Sequence, residues 1–412
     1  MANRVRSSAA RVLSHSELRR RALEGASWFI RTQVLHVRPA WDANHGRVPY
    51  TYHMPTRTMI RGLSWSHGRA IMCLMGAWEL SGGGREYLEA AIRCGDYLRY
   101  ALQLMDARDP RLFGCFREEV PVSRFCYPRD AIEGAFGLLL LHVATGERDY
   151  LERCEIFADW YLRYAMDPDT RWTRGTVDFD DPKRDPHRMG SFQAGGAPFF
   201  WHLYQVTGTR RYLTEGLRPL ADGLIERFQD LESGALLSIR PEAHHTSVQG
   251  GKPIAMNDDG AAIALTCAHA AFSRGRSSKY MEAAVRYANW LVEKCPRPIP
   301  LWAAPGLHVI NLTEMTALTG RKHYAEFGAR IMASHARNQL LVPGKPDRHG
   351  AFRGEDERPE WYVPGARQRD FLSTRSTAYG TLGLLRLAGV IGPSYSTFGL
   401  DRFTAFAKKL RQ

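Results

Sequence analysis

Several large protein classes are excluded by what this sequence lacks. No stretch approaches the about 18 consecutive apolar residues of a membrane-crossing helix, so no membrane partner is expected. The first 15 residues, MANRVRSSAARVLSH, carry arginines and no acid, but not the continuous apolar core of a secretory signal. Their Arg/Ser/Ala content fits an organelle transit peptide or, as adopted here, a flexible tail over residues 1–15. The seven cysteines are odd in number and form no CxxC pair. Most lie in helical patterns, where a free thiol behaves as a small apolar group. That usage argues against a disulfide framework or zinc–thiolate site and predicts a cytoplasmic location. Cys115 and Cys126 share one loop region and are the one pair worth testing for a bridge.

Chemical fingerprints are also missing. There is no GxSxG, no P-loop and no dinucleotide-binding glycine pattern. His244-His245 with Glu242 has no further ligand at a metal-site spacing, and Asp178-Phe179-Asp180-Asp181 reads as a solvated loop. Neither a metal nor a cofactor is expected. The net charge of +13 is spread through the chain without a nucleic-acid motif, so an acidic substrate is preferred over nucleic acid.

What is present is a repeat. Five segments read as an apolar helix, a glycine turn and a tyrosine-led second helix, with turn glycines at Gly82, Gly146, Gly208, Gly275 and Gly320. A tyrosine follows each: Tyr87, Tyr150, Tyr212, Tyr280 and Tyr324. Glycine just past a helix end accepts the left-handed conformation that stops the helix. A sixth apolar helix, TAYGTLGLLRLAG, starts at Thr377. The C-terminal FGLDRFTAFAKKL is its expected partner, while the first helix, about 16–34, is expected to pair with the helix near Trp65 and close the ring.

The two helices of each unit differ. The first is apolar or small nearly all round, as in GAFGLLLLHVA, which predicts burial on every side. The second keeps a charged face. Six buried helices inside six amphipathic ones predict an all-α, single-domain (α/α)6 toroid over residues 16–412. An open tetratricopeptide-type solenoid competes poorly, because its repeats are about 34 residues and these glycines lie roughly 45 to 69 apart.

The long loops all precede inner helices. If those helices are parallel, the loops gather over one end of the ring and build a cleft. Asp130 in Tyr127-Pro128-Arg129-Asp130 opens the second inner helix, and Asp258-Asp259 opens the fourth. Carboxylates fixed there suit general acid and base work. They also suit helix capping, Asp130 with Glu133 forming a D-x-x-E capping box. Trp65, His67 and Arg69 begin the first inner helix and Arg375 the sixth. Arginines match carboxylates bidentately, and His67 offers an acid or base. His245 and Trp302 lie in the cleft loops, where an aromatic ring can stack on a sugar.

The run WSHGRAIMCLMGAWELSGGGREYL, with PRDAIEGAFGLLLL further on, resembles the six-hairpin glycosidases. It looks most like the unsaturated glucuronyl and rhamnogalacturonyl hydrolases of glycoside hydrolase families 88 and 105. The resemblance has departures: His67-Gly68-Arg69 stands where the family has Arg-Gly-Gln, and Ile71 replaces its second Trp. It implies a glycoside hydrolase acting on an acidic, uronate-bearing oligosaccharide, with Asp130, Asp258 or Asp259 as proton donor. Arg69, Arg129, Arg375 and His67 would hold the uronate. A lyase or epimerase on the same ring stays open, as does a non-catalytic sugar- or protein-binding toroid.

Overall fold

The computed structural model describes residues 12–35, 44–60, 62–119, 123–181, 190–237, 248–249, 252–253, 255–256, 259–273, 276–294, 305–353, 365 and 367–412, with only the backbone of Ile60, residues 248–249, 252–253 and 255–256, Asp259 and Gln368. Thirteen α-helices are defined among them. The inner helices are α2 (Ser64–Ser81), α4 (Pro128–Thr145), α6 (Ala197–Thr207), α8 (Asp259–Phe272), α10 (Pro305–Thr319) and α12 (Thr374–Leu387). The other seven are α1 (His15–Thr32), α3 (Arg85–Tyr97), α5 (Arg148–Trp160), α7 (Arg218–Gly223), α9 (Lys279–Glu293), α11 (Lys322–His335) and α13 (Asp401–Arg411).

The inner helices form a closed ring. Each packs on the next, α6 together with the 3-10 turn Ser191–Gly196 before it, and α12 returns to α2. Residues 64–78 of α2 are all buried, as the absence of a polar face demands. Glycines let neighbouring backbones touch. A Cβ on Gly68 would stand 2.1 Å from the Glu133 carbonyl oxygen, and one on Gly306 would stand 1.6 Å from that of Tyr379. The turns after α2, α4, α6 and α10 put Gly82, Gly146, Gly208 and Gly320 at φ between 73° and 80°, while Gly275 lies outside the described residues.

The outer layer corrects one expected pairing. Helices α3, α5, α7, α9 and α11 cover the ring in order, and α1 packs on both α12 and α2, so the first helix is the sixth outer helix. The C-terminal α13 lies instead across the ends of α2 and α4. Its Phe403 and Phe406 rings sit 5.8 and 4.9 Å from Trp78, and Arg411 donates to the Val143 carbonyl at 2.8 Å.

Outer neighbours are joined by a recurring clasp. Gln33, Gln103, Gln229 and Gln339 each end an outer helix or its π- or 3-10-helical extension. Each amide donates to a loop glycine carbonyl, that of Gly46, Gly114, Gly234 or Gly350 respectively. Each also donates to a carbonyl of the next outer helix: Ala90, Arg153, Ala283 and Arg21. The four glycines have φ between 84° and 95°, and a Cβ on any would meet that next helix. In the fifth described unit Met166 takes the glutamine's place and Arg171, at φ 53°, the glycine's.

Candidate active site

Contacts between inner helices run in the same order along both chains. Gly68 meets Glu133 and Gly137 meets Ile71; Arg129 meets Gly195 and Phe136 meets His202. The helices are therefore parallel, and the loops before them lie over one end of the ring. Short strand pairs tie these loops together. Thr51–His53 pairs with Thr58–Ile60 and with Phe371–Ser373, Phe125–Cys126 with Val177–Asp178, and Leu236–Leu237 with Ala255–Met256.

At that mouth, Asp130 is the third residue of α4 and is half-buried. Pro128 occupies the first helical position, where its fixed φ and missing N–H cost nothing. The N-cap is therefore Tyr127, which makes no side-chain cap bond, and the D-x-x-E capping box does not form. Its expected partner, Glu133, does something else. It is fully buried, and its Oε1 accepts from Arg69 at 2.6 Å and from Arg129 at 2.5 Å. Arg129 also donates through Nε to the Phe192 carbonyl at 2.9 Å. Arg69 is itself inaccessible, lying over the rings of Trp65, Tyr379 and Tyr395 at 6.0, 5.3 and 5.7 Å. The two arginines expected to hold a substrate carboxylate thus share a buried protein carboxylate below the mouth, and Arg69 is closed to solvent.

His67 also differs from expectation. Its Nδ1 lies 2.7 Å from the Leu63 carbonyl, and its Nε2 accepts from the Val48 N–H at 3.0 Å. Burial pushes its pKa down to about 3. Both nitrogens of a neutral ring are spent on backbone, so His67 is structural and no proton-transfer role falls to it. Trp65 is buried edge-to-face between Tyr50 and Tyr379. Arg375, the second residue of α12, is half-buried at the mouth, just after Ser373, whose hydroxyl caps α12 by accepting from the Ser376 N–H. Asp258, His245 and Trp302 lie outside the described residues, and Asp259 is the first residue of α8.

Two buried carboxylates near the mouth escaped the sequence reading, as did Glu314 deeper in the ring. Glu133 was masked by its capping-box spacing, although Arg129-x-x-x-Glu133 is the i,i+4 ion-pair signal. Glu118 is buried in the loop before α4, and its carbonyl accepts from the Ser64 N–H that opens α2 at 3.2 Å. Its carboxylate and that of Asp130 both act on the Cys126 thiol, whose pKa is raised first by burial and then by the neighbouring Cys115 thiol.

Among the described residues no group of three or more His, Cys, Asp or Glu side chains could hold a metal ion, and no helix is long and apolar enough to cross a membrane.

The ring with its loop-built mouth defines an (α/α)6 toroid. No family model matches the sequence, and no curated protein matches it. Solved structures do match. A cellobiose 2-epimerase from Bacillus thermoamylovorans aligns at a TM-score of 0.69 and 10% identity, over 90% of this chain and 99% of its own. A mannosidase of glycoside hydrolase family 76 from Bacteroides thetaiotaomicron gives 0.65 and 12%, over 91% and 98%. An unsaturated glucuronyl hydrolase specific for heparin gives 0.62 and 13%, over 91% and 98%. At such identities the likeness establishes the fold alone.

Proposed function

We propose that this chain is a carbohydrate-active enzyme and, within that class, a glycoside hydrolase acting on an acidic, uronate-bearing oligosaccharide. The observation that supports this most is the placement of acids on parallel inner helices. Asp130 stands in the first turn of α4 and Asp259 opens α8, at the same end of the ring and with α6 between them. In the proposed reaction one of Asp130, Asp258 and Asp259 donates a proton to the leaving oxygen and a second activates water. Carboxyls far enough apart to admit that water give inversion. The N-terminal ends of the six inner helices add positive potential at the mouth, which favours an anionic sugar. Arg375 is the arginine best sited to meet the uronate carboxylate, and Trp302 is the aromatic assigned to stack on the sugar.

The solved relatives support the class through their names: an epimerase, a mannosidase and a glucuronyl hydrolase, all acting on sugars. An α-1,6-mannanase of family 76 from Salegentibacter is described as inactive once two consecutive aspartates are replaced. That pair stands earlier in its chain than Asp258-Asp259 does here, so it speaks for aspartate chemistry on this ring and not for one helix. The epimerase or lyase alternative needs a histidine or tyrosine base. With both ring nitrogens of His67 spent on backbone, His245 is that reading's histidine candidate.

Purified protein offered saturated and unsaturated uronate oligosaccharides separates the readings. New reducing ends without change in the ultraviolet absorbance of an unsaturated uronate support an ordinary glycosidase. Loss of that absorbance marks an unsaturated-uronyl hydrolase, and its appearance marks a lyase. Asp130→Asn and Asp259→Asn should each lower turnover by at least about a hundredfold. Full activity in both variants would overturn the acid assignment.

A further inference from the structure

We propose that Cys115 and Cys126 are a disulfide-forming pair that fastens the loop before α4 to the start of that helix. The two residues flank a closed turn. The Glu118 N–H donates to the Phe125 carbonyl at 3.1 Å, and the Glu119 N–H to the Ser123 hydroxyl at 2.6 Å. Phe116 is bridged to Gln103 on one side, and Cys126 is paired with Val177 on the other. This frame holds both thiols free in the core, the Cys115 thiol donating to the Phe116 carbonyl at 3.4 Å and standing near enough to help raise the pKa of the Cys126 thiol. The other described cysteines stand apart from one another. Cys73 donates to the Ala378 carbonyl, Cys154 to that of Ala135 and Cys267 to that of Ser396, while Cys94 accepts from Gln33.

The chemistry balances with a small-molecule disulfide such as oxidised glutathione. One thiol loses its proton and attacks a glutathione sulfur, expelling one glutathione thiolate and leaving a mixed disulfide. The second thiol, deprotonated in turn, displaces the other glutathione. Two protein thiols are oxidised and one glutathione disulfide is reduced to two thiols. Burial raises the Cys126 thiol pKa, so little thiolate exists at neutral pH and exchange accelerates as pH rises. The product cross-links a short loop ending one residue before Tyr127-Pro128-Arg129-Asp130. It stands on the two cysteines alone and does not depend on the hydrolase reading.

The full chain, purified under reductant and moved into oxidised glutathione at mildly alkaline pH, tests this. The expected outcome is an intact mass lower by two hydrogens and a non-reducing tryptic map with one linked pair, residues 112–117 joined to 125–129. The thermal midpoint should rise by several degrees, and Cys115→Ser should abolish both the mass change and the rise. Both thiols remaining free while a control dithiol oxidises would overturn the proposal. So would a lasting glutathione adduct on either residue, or a bridge to any other cysteine. Cys126→Ser gives a second route: if it still loses two hydrogens, the pairing is wrong.

Discussion

Two buried glutamates sit on the inner ring, and the contrast between them separates what closes the fold from what lies under its mouth. Glu314, deep on α10, is fully satisfied. Its Oε1 accepts from Arg386 and from the Ser396 hydroxyl at 2.7 Å, and its Oε2 from the Thr397 N–H at 3.2 Å. Arg386 in turn donates to the Ser394 hydroxyl and the Tyr395 carbonyl. This centre stitches the segment after α12 into the closed end of the ring. Glu133, nearer the mouth, receives two guanidiniums on one oxygen and has no partner on Oε2. Tyr395 links the two regions, stacked on Phe136 at 4.5 Å and on His202 at 6.1 Å. Its hydroxyl lies beside Glu133, whose charge helps raise the tyrosine pKa after burial itself. Burial of a charge is tolerated when every lone pair is met. Only in the deeper centre are both carboxylate oxygens met.

Acid should strain both regions most. His67 near the mouth and His202 beside the segment after α12 are each held neutral by burial, with pKa about 3 against an ordinary 6.5, and His335 is lowered to about 4. Their folded values are depressed, so the unfolded chain takes protons first. Stability is full above pH 6.5 and falls as pH drops towards those folded values, by about 1.4 kcal/mol per histidine per pH unit. Denaturant midpoints measured down from neutral pH should trace that slope, and His202→Gln should flatten it by about a third. A flat profile would mean these rings open to water.

Removal of either glutamate tests the contrast directly. Glu133→Ala strands two buried arginines and should cost about 3–5 kcal/mol in urea unfolding. Glu314→Ala strands one, which keeps two other acceptors, and should cost less. The reverse ranking would make the Glu314 centre the dominant element. Ser396→Ala removes one hydrogen bond to a charged group and should cost about 1.5–3 kcal/mol. Tyr395→Phe deletes a hydroxyl that bonds nothing, and its unfolding midpoint should hardly move. A large loss there would reveal a bond between that hydroxyl and Glu133.

The ring was legible because its signals are local. A glycine stops each inner helix, a tyrosine starts the next, and a helix without a polar face declares its own burial. The expected partner of α12 failed for a nonlocal reason, since α1 and α13 are both amphipathic and only packing decides between them. At the mouth, an aspartate three residues before a glutamate has the spacing of a capping box, but Pro128 moves the helix start upstream and frees Glu133 to reach Arg69. His67 misled for a similar reason. A histidine in the first turn of a helix looks reactive until the Val48 N–H, brought by a distant loop, occupies its second nitrogen. The glutamine clasps went unread because their partner glycines follow at irregular distances.

Closure of the ring by α1 has a consequence for how the molecule is made. Arg21 bonds the Ala336 carbonyl, the Trp28 indole N–H the Asp347 carbonyl, and the Thr374 N–H the Tyr50 carbonyl. Helix α1 must therefore wait for partners synthesised more than three hundred residues later. Until then the side of α1 that meets α12 is bare, and so is the side of α2 that α12 covers. Folding with such distant contacts is slow and exposed to aggregation. A truncation that stops short of α12 should leave a nascent chain that needs a chaperone at both ends of the unfinished circle.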